Sequence, residues 1–249
     1  LLLPQFSYAS KIGNKKDVKL RKEQANLKIK ELGNLIKNFV PEFIIPIASF
    51  IWFSHEENFY MNDSINTVND FNKKVDFGTS KPIIMKPGDS FDFQNHSINK
   101  ENLLFYEGEY NKKIKLSNVK KTKPVLKKDI IDVAYSACEK IKKKYPILSR
   151  LLNFVPLKFY SEDLNEIYVF YPSIKVEVRK YMGSTYDIKC SGEVIKYCLQ
   201  FPWGFNTISV NGRFSYKNKL LRYKLSIYKI IFDSLNHNTS LLSRLFYKI

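Results

Sequence analysis

The sequence has few of the residues that usually bind metals. Its 249 residues include three histidines, His55, His96 and His237, and no HxH or HExxH pair. The chain alone therefore cannot assemble a common histidine-based metal site. His96 lies in a polar stretch and His237 between two helical patterns, where surface positions are expected for both.

Cysteines and long apolar runs are also scarce. Cys138, Cys190 and Cys198 form no CxxC pair, and an odd number argues against a disulfide framework, so we expect three buried thiols. The longest candidate run, 43–53, is far shorter than the roughly 20 residues that span a bilayer. The first residues, Leu-Leu-Leu-Pro, lack the features of a signal peptide. These absences predict a cytoplasmic chain without a transmembrane segment, and the leading Leu1 suggests a truncated one.

The positive charge is rich in lysine and poor in arginine. The net charge is +17, and 41 residues are basic. Six of them are arginines: Arg21, Arg150, Arg179, Arg213, Arg222 and Arg244. Phosphate clamps and base readers favour the arginine fork, so a nucleic-acid partner is not expected. A solvated lysine surface and a true polyanion-binding face both remain open.

The first part of the chain has the pattern of an α/β layer. Apolar residues recur at helical spacing over 17–39, with Pro41 ending the helix, and 43–53 then predicts a buried strand. A short helix capped by Asn66 or Thr67 is expected to end at Lys73. A second buried strand follows at 82–85, and Pro-Gly-Asp at 87–89 predicts a tight turn.

The later part of the chain has an α+β pattern. Residues 96–125 are polar and Lys-rich, which indicates a linker between a domain at 1–95 and another at 126–249. In the second domain we expect a helix at 129–145 and three strands at 157–159, 167–171 and 174–181. A short helix at 195–201, a strand at 207–210 entering the Asn-Gly turn, and an amphipathic helix at 221–235 complete the prediction.

One polar run stands out as a candidate site. His55 follows the predicted strand 43–53 and begins a run that contains Glu56, Glu57 and Asp63. Ligands of open α/β sheets collect just beyond the carboxyl ends of strands. An imidazole there can transfer protons, and the carboxylates can orient it, so these four residues are the catalytic candidates. A hydrogen-bonded structural loop is the alternative.

Three segments resemble a known family. PIASFIWFSH at 46–55, NDSIN at 62–66 and IMKPGDSF at 84–91 resemble the late part of metallo-β-lactamase-fold proteins of the CMP-N-acetylneuraminate hydroxylase and ascorbate-6-phosphate lactonase type. The resemblance covers about residues 1–94 and implies the C-terminal half of an αββα sandwich. His55 matches the loop histidine of that family. For an enzyme of this kind, we expect Asn58, Tyr60, Lys86 and Asp89 to bind substrate, with Lys86 neutralising an anionic group.

The resemblance implies an incomplete metal site. The early HxHxDH motif of the family would precede Leu1, and Met85-Lys86-Pro87-Gly88 stands where many relatives have a terminal histidine ligand. Zinc or iron is therefore expected in a full-length protein and none in this chain alone.

A second, weaker resemblance concerns the later domain. SGE at 191–193, FPWGFNT at 201–207 and VNGRF at 210–214 resemble a sterol-carrier-protein-like module, followed here by C-terminal helices. Such a module implies an apolar cavity lined by Trp203 and Phe205, with Arg213 at an anionic head group. Core packing of the two rings and pairing of Arg213 with a carboxylate are the alternatives.

Two functions follow from these observations. The first is a metal-dependent hydrolase-type enzyme, or a relative of the sialic-acid nucleotide hydroxylase, that acts on an anionic substrate such as a phosphorylated compound or sugar nucleotide. The second is a non-catalytic protein that binds a lipid or a polyanion. An HxHxDH motif encoded in frame upstream would favour the enzyme.

Overall fold

The computed structural model describes residues 1–94, 100–114, 119–217 and 221–235. Two compact units divide the chain, unit 1 at Leu1–Lys120 and unit 2 at Lys121–Ile249. Helices occur together with parallel and antiparallel strand pairs, as expected for a mixed α and β chain. Each unit has hydrophobic clusters of its own.

Unit 1 is mainly helical. Its elements are α1 (Val18–Phe39), β1 (Phe43–Ile44), a 3-10 helix (Phe59–Ser64), α2 (Val68–Lys74), β2 (Lys81–Pro82) and α3 (Lys100–Ile114). The described strands of this unit form one two-stranded parallel sheet, in which β1 pairs with β2. The helix predicted at 17–39 is confirmed, and so is the short helix capped by Thr67, whose side chain forms a capping box with Asp70.

The buried side of α1 differs from the apolar pattern. Leu32 and Ile36 are buried as expected, but Leu20, Leu27, Leu35 and Phe39 are exposed. The remaining buried positions of the helix are Arg21 and Ala25. A buried arginine is not part of a hydrophobic pattern, so the pattern could not identify the correct side.

The strand predicted at 43–53 is wrong beyond Ile44. Pro46 has no backbone N–H to donate, and Ala48 has a φ of 50°, in the left-handed region. The Oγ of Ser49 accepts a hydrogen bond from the backbone N–H of Phe6 and donates to the carbonyl of Ile47. The segment is therefore irregular and only partly buried, with Ile47 and Ala48 exposed. The strand predicted at 82–85 is wrong beyond Pro82, since β2 covers Lys81–Pro82 and residues 83–85 are not in a strand. The turn at 87–89 is confirmed by the hydrogen bond from Asp89 N to Lys86 O.

A helix occupies half of the predicted linker. Residues 96–125 include α3, and Leu103, Tyr106 and Tyr110 of this helix pack against a hydrophobic cluster of unit 1. The ring of Tyr106 stacks on Phe50 with 4.3 Å between centroids. These three residues recur at helical spacing, and their burial outweighs the lysine-rich composition on which the linker prediction depended.

Unit 2 is built around a five-stranded sheet. Its elements are α4 (Lys127–Lys144), α5 (Pro146–Leu152), β3 (Leu157–Ser161), β4 (Glu166–Tyr171), β5 (Lys175–Lys180), β6 (Ile188–Cys190), α6 (Gly192–Gln200), α7 (Gly204–Asn211), β7 (Ser215–Tyr216) and α8 (Leu221–Ser234). The strand order is β5-β4-β3-β6-β7, and β3 pairs antiparallel with β4 and parallel with β6. The predicted helices at 129–145, 195–201 and 221–235 and the three predicted strands at 157–181 are confirmed.

The strand predicted at 207–210 is wrong. These residues belong to α7, which ends at Gly212 in the left-handed conformation, with a φ of 68°. Thr207, Ile208 and Val210 are β-branched, and Asn-Gly is a hairpin signal, so the local preference favoured a strand. A glycine with positive φ also ends helices, and that second use applies here.

The two faces of the unit 2 sheet differ. Side chains alternate along a strand, and the face that carries Leu157, Phe159, Tyr168 and Phe170 belongs to a hydrophobic core. Tyr228 and Phe232 of α8 are buried in the same core, so that helix docks on its own unit. We call the opposite face of this sheet the outer face. It carries Lys158, Tyr160, Ile167, Val169, Glu177 and Arg179.

Candidate functional site

The backbone of the predicted catalytic loop is held by local hydrogen bonds. His55 forms an isolated parallel bridge with Lys120, since Lys120 N donates to Ser54 O at 2.7 Å and Glu56 N donates to Lys120 O at 3.0 Å. The Oδ1 of Asn58 accepts from His55 N at 3.0 Å, and Asn58 is buried. Asn58, expected to bind substrate, therefore shapes the loop. Glu57 lies between His55 and Asn58 in the same turn.

Asp63 and Tyr60 belong to a charged group that we call the Arg21 cluster: Lys11, Arg21, Tyr60 and Asp63. Arg21 is fully buried, and its Nε and Nη2 lie 2.9 and 2.7 Å from the two carboxylate oxygens of Asp63. Its guanidinium carbon is 4.9 Å from the centroid of the Tyr60 ring. Lys11 Nζ donates to the hydroxyl of Tyr60. Helix α1 thus positions a cation for the 3-10 helix that carries Tyr60 and Asp63.

The Arg21 cluster shifts the pKa values of its members. Burial raises the pKa of Asp63, but hydrogen bonds from Arg21 and Ser64 outweigh it, and the net pKa falls below the ordinary 3.8. Burial and then the charge of Arg21 lower the pKa of Lys11 from 10.5 to about 7. Asp63 is therefore a neutralised carboxylate and a poor base at neutral pH, whereas Lys11 can accept or donate a proton there.

Lys86 and Asp89 form a separate turn. The Oδ2 of Asp89 accepts from Lys86 N at 3.0 Å and from the side-chain amide of Asn102 at 2.5 Å. The backbone hydrogen bond from Lys86 lowers the pKa of Asp89. The Lys86 ammonium lies 5.9 Å from the centroid of the Phe105 ring. The eight predicted catalytic and substrate-binding residues therefore fall into three local groups, the His55 loop, the Arg21 cluster and this turn.

The three residues predicted to line a lipid cavity have different surroundings. Phe205 is buried, and its ring lies 4.8 Å from Phe232 in the hydrophobic core of unit 2. Trp203 is 48% exposed and stacks on Phe201. Arg213 Nη2 lies 2.6 Å from Glu193 Oε2, the carboxylate pairing that was the alternative for this residue. The core position of Phe205 and the ion pair of Arg213 favour structural roles.

The described residues do not fit a zinc or iron site. No group of three or more histidine, cysteine, aspartate or glutamate side chains in the described ranges could hold a metal ion. His96 and His237 lie outside those ranges. Asp63, the carboxylate of the predicted site with the best-defined contacts, is bound to Arg21. No chemical step is therefore assigned to a metal.

A cleft in unit 2 was not predicted from the sequence. It has a volume of about 340 Å³. Strands β3, β4 and β5, helix α8 and the segments before β3 and β6 contribute its walls: Phe154, Val155, Pro156, Lys158, Val169, Tyr171, Arg179, Thr185, Tyr186, Asp187 and Lys224. Lys158, Val169 and Arg179 come from the outer face of the sheet. Such concave, partly apolar sites with a few polar groups are typical of ligand binding.

The cleft contains more positive than negative charge. Asp187 is its one lining carboxylate among the described residues. Its Oδ2 accepts from Lys158 N at 2.9 Å and from Lys224 Nζ at 2.5 Å, and Lys224 Nζ also donates to Pro156 O. Arg179 pairs with Glu177, which lies outside the cleft lining. Lys158 is half-buried, and its side chain forms no ion pair with any residue the structure describes. The cleft is therefore suited to an anion.

Comparisons with protein families, curated proteins and solved structures found no match for this chain. Any function proposed for the chain therefore depends on the geometry of the described residues. Over those residues, no helix is both long and apolar enough to cross a membrane.

Proposed function

We propose that this chain is a non-catalytic binding protein and that the cleft of unit 2 receives an anionic group such as phosphate. The proposal rests on the environment of Lys158. Lys158 is half-buried and lines the cleft, and its side chain has no acidic partner among the described residues. A cation without a partner in a cleft that has apolar walls attracts an opposite charge. A bound anion would supply that charge.

Two further cations support the same ligand class. Arg179 from β5 and Lys224 from α8 line the cleft with Lys158, and against these three stands the single carboxylate of Asp187. Charges of one sign in a cleft with apolar walls focus the field and raise the local concentration of counter-ions. Val169, a buried apolar residue, is part of the cleft lining. Arginine and lysine together are common phosphate ligands.

The test is titration of the whole chain with inorganic pyrophosphate by calorimetry at low salt. Lys158→Met keeps the length of the side chain and removes its charge, so we expect binding about tenfold weaker, the loss of one charged hydrogen bond. Lys128→Met changes the net charge equally at an exposed position of α4 that does not line the cleft, and should bind like the wild type. Equal affinities for both variants would refute the proposal.

The metallohydrolase hypothesis rests on the sequence resemblance. The contacts of two predicted site residues favour the binding protein instead, since Asn58 supports the loop backbone and Asp63 is paired with Arg21. The hypothesis stays a prediction about a longer protein, and an in-frame HxHxDH motif upstream of Leu1 is the observation that would support it.

A further inference from the structure

We propose that unit 2 docks on anionic lipid bilayers through an apolar ridge beside the cleft. The ridge consists of Ile147, Leu151, Phe154 and Val155. This inference rests on the proposed function and deepens it, because it identifies the anion as the phosphate-bearing headgroup of a membrane lipid.

The four side chains of the ridge are apolar, yet all of them are more than half exposed. Ile147 is 76% exposed, Leu151 57%, Phe154 86% and Val155 55%, all within nine consecutive residues. Helix α5 buries Ser149 and Leu152, so Ile147 and Leu151, four residues apart, share its outward side. Single exposed apolar residues are ordinary on protein surfaces, but a clustered set marks a binding surface.

The ridge is continuous with the cationic cleft. Phe154 and Val155 are members of both, since they line the cleft together with Lys158, Arg179 and Lys224. If the ridge enters the boundary between headgroups and acyl chains, the cleft lies at the level of the phosphates. Interfacial binding surfaces combine these two parts, apolar side chains that enter the bilayer and cations that meet anionic lipid.

The surrounding charge favours a membrane over a second copy of the chain. The last turn of α4, which directly precedes α5, carries Lys142 and Lys143 on its exposed surface, and Arg150 of α5 is also exposed. A symmetric dimer through the ridge would bring two such cationic borders together, in a chain of net charge +17. An anionic bilayer has the complementary charge.

The experiment is flotation of the whole chain with vesicles of phosphatidylcholine alone or of phosphatidylcholine with phosphatidylserine. We expect the wild type to float with the anionic vesicles and not with the neutral ones. Phe154→Ser should reduce the bound fraction roughly tenfold or more, the effect of losing one inserted aromatic side chain. Phe154→Leu, which keeps an apolar group, should retain most of the binding.

Leu126→Ser is the matched control. Leu126 is 72% exposed, does not line the cleft and precedes α4 as its N-cap, a position where serine is favourable. This variant should float like the wild type. Failure of the wild type to bind anionic vesicles, or equal flotation of Phe154→Ser and Leu126→Ser, would overturn the inference. So would a dimer, measured by light scattering, that Phe154→Ser abolishes.

Pyrophosphate titrations of the same preparations separate the two proposals. Leu151→Ser changes the ridge and leaves every residue of the cleft lining intact, so it should weaken vesicle binding and still bind pyrophosphate. If the wild type binds pyrophosphate but no vesicle, the membrane inference fails and the anion cleft stands. If it binds vesicles through Phe154 but no pyrophosphate, the proposed function fails at the cleft and the ridge alone is responsible for docking.

Discussion

Arg21 and Asp63 are joined by two parallel hydrogen bonds, from Nε to Oδ1 and from Nη2 to Oδ2, although 42 residues separate them in the sequence. Nη1 of Arg21 also donates to the carbonyl of Asn14, and Nη2 donates to that of Lys15. The fully buried guanidinium is thus bound by one carboxylate and two backbone groups. Because the pair joins α1 to the 3-10 helix, it contributes to the specificity of the fold in unit 1.

Breaking this pair should destabilise unit 1. Asp63→Asn leaves the buried guanidinium without its counter-charge, and we expect unfolding to become easier by roughly 3 kcal/mol. Lys28→Met removes the surface pair of Lys28 with Glu31 and should change stability by no more than about 0.5 kcal/mol. Urea unfolding followed through Trp52, in a Trp203→Phe background, measures unit 1. Equal midpoints for the two variants would contradict the prediction.

The same pair should contribute to loss of stability in acid. The folded pKa of Asp63 lies below 3.8, so the carboxylate stabilises the fold above 3.8, and this contribution is lost as pH falls through the folded pKa. The stability difference between wild type and Asp63→Asn should therefore shrink below about pH 4. A difference that stays constant down to pH 2 would show that Asp63 does not titrate as described.

Lys11 should make unit 1 more stable as the pH rises above 7. Its folded pKa is about 7 against an ordinary 10.5, so between these values the unfolded chain binds the additional proton and the folded state gains with pH. Lys11→Met removes this dependence. At pH 6 the variant should be more stable than the wild type, and this difference in urea midpoint should diminish by pH 9.

The matched control for Lys11 is Lys19→Met, at an exposed position of α1. A midpoint difference between Lys11→Met and the wild type that is the same at every pH would show that the Lys11 ammonium is as well solvated in the folded state as in the unfolded one. The Arg21 cluster would then not destabilise the charged form of Lys11.

Gly204 should not tolerate a methyl group. A Cβ at this position would lie 2.6 Å from the carbonyl oxygen of Tyr197 and 2.7 Å from the Cα of Cys198, and backbone cannot move aside cheaply. We expect Gly204→Ala to destabilise unit 2 by about 1–3 kcal/mol. Gly108→Ala in α3 meets nothing within 4 Å and should be neutral or stabilise by about 0.5–1 kcal/mol. Thermal unfolding by circular dichroism compares them, and an unchanged Gly204→Ala would contradict the close approach.

Asn58 should matter more to stability than the histidine it supports. Asn58→Ala removes the acceptor of the His55 backbone N–H from a buried position, and we expect a loss of about 1–3 kcal/mol. His55→Ala preserves that backbone hydrogen bond and should cost less. The two variants are compared by urea unfolding through Trp52, and the reverse order would show that the histidine side chain holds the loop.

The parts of the fold that could be predicted from the sequence depend on local patterns. The helices α1, α4 and α8 follow apolar spacing, and β3 to β5 follow alternation and β-branched content. The failures occur where local signals conflict, as at 207–210, where strand-forming residues precede a glycine that ends a helix. At 43–53 the apolar composition was correct as a sign of burial for part of the segment, but Pro46 and Ala48 prevent regular pairing.

The candidate site was less predictable because it depends on long-range contacts. Lys158 and Asp187 are 29 residues apart, and Asp187 and Lys224 are 37 apart. Each is an ordinary charged residue in its own segment, and they meet because β3 pairs with β6 and α8 packs on the same unit. The buried Arg21 was missed for the related reason that a charge inside a core is compensated by a distant residue.

The placement of the cysteines supplies a built-in reporter. All three cysteines of the sequence, Cys138, Cys190 and Cys198, are buried in the core of unit 2, and none occurs in unit 1. Burial raises the pKa of Cys138 to about 12, so its thiolate, the reactive form, is scarce while the core is closed. The rate at which a thiol reagent modifies the native chain therefore measures how often unit 2 opens, without any engineered label.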